Sequence, residues 1–120
     1  MQIDYILQKL NTSKFRSSFR LKQKDFDYIN QKGLQVIEQH CRDFIDNRLA
    51  NIQMFKDGKQ TPMRGHPVFI AQHATASCCR QCLYKWHKIE PTHILIKPEK
   101  EFIFNLIMTW IKNEMNFKNI

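Results

Sequence analysis

Leu34, Ile37, Cys41, Phe44, Ile45 and Leu49 recur at three- and four-residue intervals, which draws one apolar stripe about four helical turns long. A strand has period two and cannot present such a face, so residues 34–49 are expected as an amphipathic helix that must pack on something. Ile3, Ile6, Leu7 and Leu10 repeat the pattern near the N-terminus. Phe102, Ile103, Leu106, Ile107, Trp110 and Ile111 repeat it near the other end. Only three Gly and four Pro in 120 residues leave little room for a turn-rich β architecture. The expectation is a small all-α domain over 1–120, with four to six helices, a long central loop and a zinc ion as candidate stabiliser.

Punctuation residues divide this layout. Asn11-Thr12-Ser13 closes the first helix, and Phe15 and Phe19 pin the basic stretch that follows to the core. Asp25 is expected to cap a short helix that Gly33 stops. Asp57-Gly58, Pro62 and Gly65 make 50–65 the loop. Pro67 suits the first turn of a helix with His66 at its start, and Ser77 suits the N-cap of another carrying Cys79, Cys82, Leu83 and Trp86, which Pro91 closes. The last helix is expected from about Pro98-Glu99, and the stripe over 99–116 needs a partner in the fold or in a second copy.

Between His66 and His87 lie three of the five histidines and three of the four cysteines. His73, Cys79, Cys82 and His87 form the pattern H-x5-C-x2-C-x4-H, in which two sulfurs and two neutral imidazoles complete a zinc tetrahedron, with Cys78 and His66 as alternates. Inert core thiols beside Leu83 and Trp86, or redox chemistry, also fit this spacing. The set lacks H-E-x-x-H and the H-x-E…P-C-x2-C of zinc deaminases. Asp57 or Asp43 remains a candidate base for an enzyme, as does His66, and Cys78 or Cys79 a candidate nucleophile at a helix start.

The net charge is +8. Basic residues concentrate in 14–24 and in the carboxylate-free run 58–89, which attracts phosphates. Lys14, Arg16, Arg20, Lys22, Lys59, Arg64 and Arg80 are the expected anion or nucleic-acid contacts. The glycines of DGKQTPMRGHP permit close approach of a ligand, without the spacing of a nucleotide-binding loop. No apolar run approaches the roughly 18–20 residues that span a bilayer, and the N-terminus lacks the features of a signal peptide. No membrane association and a cytoplasmic location are therefore expected, where clustered cysteines point to metal or redox chemistry.

The strings KFRSSF, DGKQTPMRGHPVFIAQHATASCCRQCL and KWH resemble a family of small bacterial proteins classed as domain of unknown function 4186, over about Ser13 to Trp110. The resemblance implies that His40, His66, His73, Cys78, Cys79, Cys82 and His87 belong to the family pattern. Cys41 departs from it, as does KIEPTHILIKPEK, which replaces a Gly-containing turn. The family brings no activity with it. Two functions follow from the residues: a zinc-stabilised basic module that holds nucleic acid or another phosphate-bearing partner, or a metal- or His/Cys-dependent enzyme, a nuclease or other hydrolase, with its site in 57–87. An interaction subunit using the last helix is a third.

Overall fold

The computed structural model describes residues 2–52 and 58–118, so Asp57 lies outside the described residues. Those residues form seven α-helices and no strand: α1 Gln2–Leu10, α2 Lys14–Ser17, α3 Gln23–Lys32, α4 Leu34–Phe44, α5 Pro67–Ala74, α6 Arg80–His87 and α7 Lys97–Lys118. The helix beyond the expected six is α2, a single turn within the basic stretch. No described helix is long and apolar enough to cross a membrane.

The stripe of 34–49 is realised with a change of winding, because Ile45–Leu49 is π-helical. Ile37, Cys41, Ile45 and Leu49 sit at strict four-residue steps, which drift around an ordinary α-helix. A wider turn takes out that drift and keeps Ile45 and Leu49 buried with Ile37 and Cys41. Two caps differ from expectation. Asp25 stands inside α3, where its carboxylate accepts the Lys22 backbone N–H at 2.8 Å. Helix α6 ends at His87 because Lys88 turns left-handed (φ 61°), three residues before Pro91.

Helix α7 packs against α1, α4, α5 and the π segment. Its apolar stripe, Ile103, Leu106, Ile107 and Ile111, is buried within the fold, so it finds its partner without a second copy. Helix α5 touches α2, α4 and α7 and is apolar nearly all round. Every residue from His66 to Arg80 is buried. Polar side chains in such a stretch need internal partners. Thr75 bonds the Ala71 carbonyl at 2.7 Å, and Gln72 Nε2 donates to the Ser77 carbonyl at 3.1 Å.

Arg80 is the largest case. It is 1% exposed, and its guanidinium faces the carbonyls of Leu49, Ala50 and Asn51 at 3.1–3.4 Å and those of Glu90 and His93 at 2.8 and 2.7 Å. The planar fork closes the C-terminal end of the π segment against the loop after α6. Arg80 is therefore a structural clamp and is not on an anion-binding surface.

Candidate metal centre

Cys79 is itself the N-cap of α6. Its backbone is extended, and its Sγ accepts the Cys82 N–H at 3.3 Å. Ser77, expected in that role, turns inward to the Thr75 hydroxyl at 2.8 Å. An N-cap and the third residue of the helix stand side by side, which brings the two sulfurs to 3.1 Å. Cys78 completes the group: its Sγ lies 3.6 Å from Cys82, and all three sulfurs fall within 4.8 Å of one another. Tetrahedral zinc with Zn–S bonds of about 2.3 Å separates its sulfurs by about 3.8 Å, which the Cys78–Cys82 pair approaches and the Cys79–Cys82 pair would have to open to reach. The three cysteines can hold a metal ion.

One cation faces the sulfurs. Arg16, on α2, is buried and donates to the His73 carbonyl at 2.7 Å, to Cys82 Sγ at 3.2 Å and to Cys78 Sγ at 3.5 Å. Among the described residues no carboxylate pairs with it. Burial works against its charge, yet the bonds to Cys78 and Cys82 hold its pKa above the usual value. The thiols titrate as a unit. Hydrogen bonds from Cys78 and Cys79, then Arg16, hold the Cys82 thiol well below its ordinary range. Hydrogen bonds to Cys78 and Cys82, with burial, push the Cys79 thiol up. The fourth cysteine, Cys41, stands apart in the core, and burial pushes its thiol up to about 12.

The histidines take separate places. His73 Nε2 lies 3.0 Å from the Pro62 carbonyl, with its ring stacked on Phe19, and His87 Nε2 lies 2.8 Å from the Thr75 carbonyl. A carbonyl only accepts, so both rings carry a proton on Nε2, which leaves Nδ1 as the nitrogen through which either ring in its neutral form would ligate. Ligating histidines are held in the same way, with the second ring nitrogen donating to a carbonyl. His87 Nδ1 is buried with no hydrogen-bond partner. Burial, then the Arg16 charge, lowers the pKa of His87 and favours the neutral ring. Neither imidazole joins the sulfurs within 4.8 Å of all three. The structure thus gathers Cys79 and Cys82 with the alternate Cys78, and leaves the His73 and His87 rings on backbone carbonyls outside that group.

His66, the other alternate, is away from the thiols. It is the N-cap of α5, with Nδ1 accepting the Val68 N–H at 3.0 Å and Nε2 lying 3.0 Å from His40 Nδ1. Phe44 and Phe69 wall its ring.

The expected basic set divides. Lys14, Lys22, Lys59 and Arg64 are exposed, while Arg16 and Arg80 are buried, and Arg20 shares its Nε–H between the two carboxylate oxygens of Glu114 at 3.0 and 3.1 Å. Lys24 and Gly65 line one hollow, so the basic stretch and the central loop meet in space. Sequence reasoning missed Arg16 as a partner of the thiols. Its only sequence signal is a basic residue following a phenylalanine, which does not reveal the direction of the side chain.

No solved structure matches the chain. The family model described as Domain of unknown function (DUF4186) matches residues 4–112, and with that span of the chain covered the protein belongs to this family.

Proposed function

We propose that the protein is a zinc-thiolate protein whose metal centre orders a basic, nucleic-acid-binding surface. The observation that carries the metal reading is the sulfur triangle of Cys78, Cys79 and Cys82 with the buried Arg16 guanidinium against it. Three thiolates around a divalent ion leave one net negative charge, which Arg16 offsets. His87, through its unpartnered Nδ1, is the candidate fourth ligand, and His73 the alternate. Zinc held there would tie the start of α6 to its last residue, with Arg16 drawing α2 against the thiolates, which supplies folding free energy that a small domain needs. The nucleic-acid part rests on the exposure of Lys14, Lys22, Lys24, Lys59 and Arg64 and on the hollow that Lys24 and Gly65 line together. A reducing, cytoplasmic setting suits thiolates kept free for metal.

Metal content per chain tests the centre, on protein purified without added zinc or a histidine tag. About one zinc is expected, lost in Cys82→Ser together with thermal stability and weakened in His87→Ala. Absence of metal in every preparation would overturn the reading and leave a reactive thiol group. A second reading, an enzyme, is favoured by one observation: no imidazole among the described residues lies within 4.8 Å of all three sulfurs. Three protein ligands plus water, read by X-ray absorption on the zinc-loaded protein, would favour it over a closed four-ligand centre. For the surface, Lys22→Glu with Lys24→Glu should weaken nucleic-acid binding, and that binding should fall steeply with salt.

A further inference from the structure

A cavity of about 280 Å³ opens between α1, α2 and α7, away from the sulfur atoms but walled in part by Arg16. Its other walls include Phe19 and Trp110, the amides of Asn11 and Asn113, and the Arg20–Glu114 pair. Ligand clefts run from roughly 300 Å³ upward, so this one suits a single ring system. Two large aromatics stand exposed beside it. Phe117 lines it and is 64% exposed, and Phe15 is 55% exposed and meets Phe19 edge-on, with ring centroids 5.1 Å apart. Each lies under a guanidinium: Arg16 is 5.0 Å from the Phe15 centroid and Arg20 is 4.9 Å from that of Phe117. Arg20 is paired with Glu114 through its Nε–H.

Apolar rings left in water, one of them next to the exposed Lys14 on α2 and the other beside an Arg20 whose charge Glu114 offsets, call for a planar partner. A duplex keeps its bases stacked on one another, whereas a single strand can offer them to aromatic side chains while its phosphates follow lysines. The amides supply donors and acceptors for the edge of a base. We infer that the α1–α2–α7 cavity receives an unpaired nucleobase of a single-stranded nucleic acid, with Phe15 and Phe117 stacking its neighbours. This rests on the nucleic-acid reading above and specifies which form of nucleic acid is bound and where. Because Arg16 borders both the cavity and the thiols, the metal centre sets one wall of the base pocket.

The test uses zinc-loaded, full-length protein and fluorescein-labelled octanucleotides, one single-stranded and one a self-complementary duplex, followed by anisotropy. The single strand should bind more tightly. Phe15→Ala and Asn113→Ala, both at exposed positions, should weaken it, the phenylalanine change by roughly 5- to 150-fold for one lost stack, with duplex binding unchanged. Adenosine or uridine monophosphate should shift the Trp110 indole N–H resonance, assigned with Trp110→Phe. Salt-dependent binding with no strand preference, unchanged in Phe15→Ala, would overturn the base pocket and leave the nucleic-acid reading standing. No binding of either oligonucleotide and no shift with the monophosphates would overturn both.

Discussion

Acid should destabilise this protein through His66 in a pH window that the structure defines. The Val68 N–H points at Nδ1 of a buried ring, so His66 must keep that nitrogen unprotonated, and its Nε2 lies 3.0 Å from His40 Nδ1. Burial, then the His40 charge, lowers the His66 pKa from 6.5 to about 4. Between those values the unfolded chain binds a proton that the native chain refuses, so stability rises with pH there. The contribution is fully present above about pH 6.5 and is lost as the pH falls toward 4. The loss is about 2 kcal/mol at pH 5 and about 3 kcal/mol at pH 4, relative to neutral pH. His66→Asn is the informative variant, because an amide oxygen can still accept the Val68 N–H and does not titrate. Denaturant unfolding of both proteins from pH 7.5 to 4, with equal zinc, gives the comparison. Acid release of metal is common to both and cancels in the difference. The stability advantage of the parent over the variant should shrink by about 3 kcal/mol across the series. Parallel curves would refute the reasoning.

Arg80→Met should cost about 3 kcal/mol or more by leaving buried carbonyls without donors, and Arg80→Lys less; thermal unfolding at fixed zinc checks the order. Arg16→Met should lower zinc affinity by about 10–100-fold, read by competition with a chromophoric chelator, because the thiolate charge loses its buried counterion. In metal-free protein, iodoacetamide should label Cys82 first and leave Cys41 untouched until denaturant is added; mass spectrometry of the peptides reports this, and early labelling of Cys41 would contradict its burial.

The helices other than α2, the start of α5 at His66-Pro67 and the grouping of Cys79 with Cys82 were legible in the chain, because all three depend on neighbours a few residues apart. Apolar spacing states its own period, an N-cap sits beside the helix it caps, and a C-x2-C step spans one helical turn. Asp25 and Ser77 show the limit even locally: several polar residues near a helix start can serve, and burial chooses among them. The direction taken by a charged side chain is a different kind of fact. Arg16 and Lys14 look alike in sequence, yet one meets sulfurs 62 and 66 residues away and the other faces water. Arg80 reads as a phosphate contact until the carbonyls of Leu49, Ala50, Asn51, Glu90 and His93 are brought around it. A guanidinium enters a core only where enough acceptors converge, and that convergence comes from segments distant in the chain. Local periodicity therefore determines the elements, and tertiary packing decides which cations bind outward and which hold the protein together.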